Sequence, residues 1–289
     1  MKRKSIKLIL KLSLTGLALY VVFRNIDLQE TWGVIKSLNP TWMILAILFF
    51  VLSKVFTALR LNSYFRDIDI QMPEVQNFKL YWVGMFYNLF LPGGIGGDGY
   101  KAYWVNKAFQ KPLKKILAAI LLDRISGLVA ILFLIFIFFF WVEIAIPWLA
   151  ESWVSIAVGL LLVALPCVFW WSIKWFFPSF ISSFWRSGLY SLAGQLAQLV
   201  TAYFIMLSIG ITELVLSYQF VFLVSSLVSV LPLTIGGVGA RELVFVLSHD
   251  LMGIDKNAAV AFSLLFFLIS AAVSLCGAFV DLKGMENKY

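Results

Sequence analysis

Leu91-Pro92-Gly93-Gly94-Ile95-Gly96-Gly97-Asp98-Gly99-Tyr100-Lys101 returns later in the chain as Leu231-Pro232-Leu233-Thr234-Ile235-Gly236-Gly237-Val238-Gly239-Ala240-Arg241. The Leu-Pro pair, one Ile and three glycines match, and a cation closes each copy. Each copy breaks a helix inside an otherwise apolar chain. In a bilayer such a break persists only where protein or a water-filled cavity satisfies the freed backbone groups. Broken helices at corresponding positions of two halves point to a transporter-type binding site. The expected breaks are Pro92, Gly93, Gly94, Gly96 and Gly97 in the first copy. In the second they are Pro232, Gly236, Gly237 and Gly239.

Around these phrases 62% of the 289 residues are hydrophobic and only 13% are charged, against about 25% charged in soluble domains. Ile125–Val142 carries no charge at all, and Val154–Ile173 and Ala258–Val280 are similar. Apolar runs of this length read as membrane spans. The expectation is an all-α integral membrane protein, a single polytopic membrane domain over residues 1–289. Six full spans are placed near 6–23, 40–60, 113–141, 152–176, 186–208 and 256–281. The start, Met1-Lys2-Arg3-Lys4, imitates a signal peptide, but no small-x-small cleavage site follows it. It reads as an uncleaved first span that begins at the cytoplasmic surface of the cell membrane.

The two glycine phrases lie between these spans. The first arm, Phe78–Leu91, makes about 21 Å of helix, short of the roughly 30 Å hydrocarbon core. The second, Gly99–Gln110, carries Lys101 and Lys107 and is too polar to face lipid. A re-entrant hairpin fits better than a crossing. The same reading extends to Leu214–Leu231 and Val238–Leu251, although the arm before Pro232 is long enough to span. With both intervals re-entrant, most Lys and Arg fall on the side of the N-terminus, and only Arg24, Lys36, Arg241 and Lys256 fall opposite. The positive-inside rule then makes the N-terminal side cytoplasmic. The order span–hairpin–span occurs twice, upside down, near 40–141 and 186–281. That is an inverted-topology repeat, from which alternating access can arise. The plainer alternative is two unrelated glycine loops in a bundle.

Each phrase ends by opening a helix. Asp98 is the expected N-cap of the helix after the first copy. A helix N-terminus favours an anion, and Lys101 adds a full charge one turn in; Arg241, with Glu242 beside it, does so in the second copy. The alternative is that these residues only cap and pair within their hairpins. The order of Gly and Lys matches neither a Walker A loop nor a dinucleotide fingerprint.

Asp123-Arg124 lies about 15 Å along its span, near mid-membrane. Adjacent helical residues point about 100° apart, so each is expected to find its partner on another element. Charges at this depth are functional candidates by default. Lys54 and Arg60 are further candidates, with Arg60 expected near the cytoplasmic surface as a snorkelling anchor. Trp148, Trp153, Trp170, Trp171, Trp175 and Trp185 fall near span ends and read as an interface belt. Cys167 and Cys276 read as small packing residues, and the single His249 offers no metal cluster. No catalytic constellation is visible, which argues against a hydrolase.

Three motifs in order, Leu91–Lys101, Asp123-Arg124-x-x-Gly127 and Leu231–Glu242, resemble the transmembrane region of lysylphosphatidylglycerol synthases, a family of flippase-like membrane proteins. The resemblance covers nearly the whole chain. In bifunctional synthases this region translocates a lipid while a cytosolic domain attaches the amino acid. The chain ends at Tyr289, soon after its last span, so that second domain and its activity are not expected here. The resemblance implies a lipid flippase or transporter for a phospholipid, glycolipid or polyprenyl-phosphate-type lipid. Lys101, Arg124 and Arg241 would attract the headgroup, Asp98, Asp123 and Glu242 would hold the cations, and Arg60 completes the candidate substrate site. The alternative is a lipid-modifying enzyme or accessory subunit of a cell-envelope glycosylation pathway. The expected partner is a membrane lipid with an anionic headgroup, with a homo-oligomer left open. No nucleic acid, metal or other cofactor is expected.

Overall fold

The computed structural model describes residues 28–90, 96–230 and 239–282. The expected first span, and Pro92, Gly93, Gly94, Pro232, Gly236 and Gly237, lie outside the described residues. Within them the chain forms ten α-helices and three short 3-10 helices, with no strand. The helices are α1 (Leu28–Lys36), α2 (Pro40–Arg66), α3 (Glu74–Phe90), α4 (Gly96–Phe109), α5 (Leu113–Phe139), α6 (Ser152–Phe176), α7 (Phe184–Ser208), α8 (Val215–Val230), α9 (Ala240–Met252) and α10 (Lys256–Leu275). The all-α class expected from the sequence holds.

Among the described residues, α2, α5, α6, α7 with its leading 3-10 turn, and α10 with its trailing one are long and apolar enough to cross a membrane. They fall on the five expected spans from residue 40 onward. One boundary differs in a way that matters: α2 runs on to Arg66, which places Arg60 inside the helix rather than at its end. The short α1 was not foreseen. The apolar window of α6 is only 6% buried, and Ile156, Leu160 and Val163 stand exposed along it. Such a face is stable against hydrocarbon and unfavourable against water. Trp148, Trp153, Trp170, Trp171, Trp175 and Trp185 are all exposed.

Two helical hairpins interrupt the series of long helices. In the first, α3 and α4 run antiparallel. Gly97 of α4 meets Gly84 and Asn88 of α3, and Lys101, one turn on, lies against Gly84. In the second, Arg241 of α9 lies by Ser229 of α8, and Asp255 just beyond α9 bonds Tyr218 near the start of α8.

The chain divides into two compact units. Among the described residues, one comprises 28–48, Leu134–Gly159 and Leu199–Ile269, and contains both arms of the second hairpin. The other comprises Phe49–Phe133, Leu160–Gln198 and 270–282, and contains both arms of the first hairpin. The latter has a core of Leu61, Tyr64, Phe65, Leu80, Trp104, Val105, Ile116 and Ile120 among others. The former is centred on aromatic contacts, Phe222 with Phe262 and Phe266, and Phe245 with Phe262.

Candidate functional site

In the first-hairpin unit three long helices turn polar faces towards one another. Ser53, Thr57, Arg60 and Tyr64 recur on one face of α2 at spacings of four and three. Asp123, Ser126 and Gly127 share a face of α5, and Ser187, Ser191 and Gly194 a face of α7. Arg60 Nε donates to Asp123 Oδ1 at 2.7 Å, and its Nη1 donates to Ser191 Oγ at 3.2 Å. Tyr64 donates to Ser187 Oγ at 2.9 Å and lies 2.6 Å from Ser126 Oγ. Such interhelical bonds are how polar groups are accommodated between membrane helices.

Arg60 is therefore buried and ion-paired, with 5% of its surface exposed. The expected surface anchor is corrected. Because α2 continues past it for more than a turn, the guanidinium turns into the unit instead of reaching out. Gly127 explains one element of the Asp-Arg-x-x-Gly motif. A Cβ there would lie 3.2 Å from Arg60 Nη1, so the glycine makes room for the guanidinium that Asp123, one turn earlier, pairs with.

Arg124 points away from Asp123, as adjacent helical residues do, and pairs through Nε with Asp98 Oδ2. Asp98 Oδ1 also receives Lys101 Nζ at 2.8 Å. Lys101 Nζ lies 4.7 Å from the centre of the Tyr81 ring. Asp98 and Lys101 are buried, whereas the Arg124 side chain is a third exposed. Asp98 is not the N-cap the sequence suggested. It lies inside the helix instead, with Gly96 and Gly97 preceding it in α4. The Gly97 N–H is capped from outside by Asn88 Oδ1 at 2.8 Å. A Cβ on Gly97 would overlap the Gly84 carbonyl, so glycine at 97 lets the two backbones touch. That contact brings the stem of Lys101 over Gly84.

In the second-hairpin unit Gly239 stands at φ 83° immediately before α9. This left-handed conformation is readily adopted by glycine. Glu242, three residues on, accepts the Gly239 N–H at 2.7 Å, the backward half of a capping box. Its other oxygen accepts the Ser263 hydroxyl at 2.9 Å. Glu242 thus spends both oxygens on the backbone and on α10. Arg241 places its guanidinium carbon 4.6 Å from the Phe266 ring centre and 5.7 Å from that of Phe222. Its Nη2 reaches Ser229 Oγ at 3.4 Å. Among the described residues no ion pair joins Arg241 to a carboxylate.

The expected site residues thus fall into three groups: Arg60 with Asp123; Asp98 with Lys101 and Arg124; and Arg241 near Glu242 without pairing to it. Lys54 places its ammonium 4.4 Å from the centre of the Phe50 ring. Tyr64, Ser126, Ser187 and Ser191 were missed, although the polar stripe on α2 was visible in the sequence. His249 Nδ1 sits 2.6 Å from the Ile254 carbonyl at the end of α9, and no metal-binding group occurs among the described residues. Cys167 and Cys276 are free and exposed, not packed inside as expected.

Comparison with known proteins supplies a frame for this geometry. A family model described as the lysylphosphatidylglycerol synthase TM region matches residues 8–277. A UPF0104 membrane protein of Pyrococcus horikoshii is 24% identical over an alignment of 310 positions that covers 90% of this chain and 92% of its own.

Proposed function

The chain belongs to the lysylphosphatidylglycerol synthase transmembrane-region family, and from that premise we propose that it is a lipid flippase that carries an anionic headgroup between leaflets of the cell membrane. The cargo class is a phospholipid, glycolipid or polyprenyl-phosphate-type lipid.

The observation that carries this reading is Arg241. Arg60 and Lys101 each have a carboxylate at close range, and Arg124 shares that of Lys101. Arg241, with the Glu242 charge nearby but not ion-paired to it, has ring faces and a hydroxyl instead. A half-buried arginine among apolar helices is costly unless compensated, and ring faces contribute only about 0.5–2 kcal/mol. A phosphate oxyanion completes the compensation and accepts the guanidinium fork in two hydrogen bonds. The first-turn N–H groups of α9 supply further positive potential.

The hairpins support a transport architecture. The described lengths of the arms α3, α4, α8 and α9 are 17, 14, 16 and 13 residues, about 20–26 Å of helix against a core of about 30 Å. Each hairpin belongs wholly to one unit, whereas the long helices contribute segments to both. These features favour re-entrant hairpins in an inverted repeat. Charge favours an orientation. The described basic residues of the second-hairpin unit are Lys36, Arg241 and Lys256, while the first-hairpin unit holds Arg60, Arg66, Lys79, Lys101, Lys107, Lys111, Lys114, Lys115, Arg124, Lys174 and Arg186 among others. By the positive-inside rule the first hairpin opens to the cytoplasm, on the side assigned to the N-terminus.

The test is reconstitution of the full chain into liposomes with headgroup-labelled phosphatidylglycerol, read as reduction of inner-leaflet label by an impermeant reductant. Wild type is expected to accelerate exchange over protein-free vesicles, and Arg241→Gln to return it towards that baseline. Equal exchange by wild type and Arg241→Gln would remove Arg241 from the pathway. No acceleration by wild type, with a lipid product of changed mass, would favour a lipid-modifying enzyme instead.

A further inference from the structure

A cavity of about 1060 Å³ lies between α5, α6 and α7 in the first-hairpin unit. On α5 it is lined by Ser126, Val129, Ala130 and Phe133, one helix face repeated at i, i+3, i+4 and i+7. The groove therefore runs along the helix axis for about 10 Å. All three helices are candidate membrane spans. Pro166 of α6 forms part of the wall. A proline inside a helix removes one backbone hydrogen bond and bends the helix. On the facing wall Gly188 of α7 leaves open space: a Cβ built there meets no atom within 4 Å.

We infer that this groove is a binding site for the hydrocarbon chain of a membrane lipid lying alongside the helices. No charged residue lines it. Its two serine hydroxyls are already satisfied: Ser191 Oγ accepts from Arg60 and donates to the Ser187 carbonyl, and Ser126 Oγ is bonded to Tyr64. A hydroxyl whose hydrogen bonds are spent inwards presents little penalty to hydrocarbon. The rest of the lining is apolar or aromatic, so a methylene chain finds two turns of apolar wall and open space at Gly188. The chain would lie against the same hydroxyls that position Arg60 and Tyr64, which links tail occupancy to the buried ion pair. The inference rests on the lipid reading above but does not depend on transport.

The experiment is photolabelling of the reconstituted full chain with phosphatidylglycerol carrying a diazirine in one acyl chain, followed by peptide mapping. Label on groove peptides 126–133, 166–171 and 184–192 is expected to exceed that on the exposed α6 face at 156–163. It is also expected to fall at least fivefold with excess unlabelled lipid. Gly188→Phe, which fills the gap, is expected to lower groove label at least fivefold and leave the α6 face unchanged. Gly188→Ala is expected to retain it, which separates filling from misfolding. Groove label that is unsaturable, or no greater than on the outer face, would show bulk lipid only and overturn the proposal. Groove peptides cross-linked to a second copy, with a dimer that Gly188→Phe converts to monomer, would overturn it in favour of a protein occupant. A wild type that shows saturable groove label but no headgroup exchange keeps this site and removes the flippase reading.

Discussion

The two hairpins start from the same phrase and seat its closing cation in opposite ways. In the first, Asp98 lies within α4 three residues before Lys101 and pairs with it. In the second, α9 begins at Ala240, behind a glycine in the left-handed region. Its first-turn carboxylate, Glu242, is turned back on the backbone and across to Ser263. Gly99 and Gly239 occupy the same place in the phrase, yet one is inside a helix and the other caps one. The acids also stand at different places in the phrase: Asp98 occupies the position of Val238, and Glu242 that of Ala102, so one acid faces the cation and the other the helix end. A cation neutralised within its own hairpin holds structure together; one left with ring faces and a hydroxyl is suited to an incoming anion.

The strongest way to break this comparison is Asp98→Ala. It strips the shared carboxylate from Lys101 and Arg124, and loss of a buried partner costs about 3–5 kcal/mol. A large drop in the unfolding midpoint of the purified protein is expected; an unchanged midpoint would show that the first hairpin does not depend on its internal neutralisation. Gly97→Ala comes next. Its Cβ would overlap the Gly84 carbonyl, and forcing the two helices apart is expected to cost about 1–3 kcal/mol, read in the same melt. Arg241→Gln sharpens the contrast from the other side. No ion pair is broken there, so stability is expected to stay within about 1 kcal/mol of wild type while anionic-lipid exchange is lost. A destabilisation as large as that of Asp98→Ala would make Arg241 a structural ion after all. The smallest effect is expected at Gly99→Ala. Nothing lies within 4 Å of the added carbon, and the gain in helix propensity is at most about 1 kcal/mol. A clear loss at this position would mean that the first turn of α4 must unwind in some working state.

Much of this arrangement was legible in the chain. Hydropathy alone located the long helices from residue 40 onward, because a bilayer imposes length and apolarity together. The angle between adjacent helical residues was enough to anticipate separate partners for Asp123 and Arg124, which proved to be Arg60 and Asp98. What it could not reveal was which partner. Arg60, at the end of the span expected over 40–60, reads as a surface anchor, yet the polar residues Asn62 and Ser63 are buried and the helix continues to Arg66. The hydroxyls escaped notice for a related reason. Serines in membrane helices commonly bond their own preceding turn, as Ser191 does, so their contribution across helices shows only when their stripes are set face to face. The N-cap expectation for Asp98 failed because Asn88, from the opposite arm, performs that task. No local pattern encodes a cap supplied from the other arm.

One contact sets an order on how the protein is made. The Trp82 indole of α3 donates to the Val273 carbonyl at 2.5 Å across a sequence separation of 191 residues. Gly277 sits so close to the Trp82 carbonyl that a Cβ there would overlap it. The first hairpin is synthesised early but seats against the last helix. At about 5–20 residues per second, ribosomes need roughly 10–40 s to supply that partner. For that interval the hairpin, with Lys101 buried against Asp98, lacks this contact, and the last of the described helices closes over it as a latch.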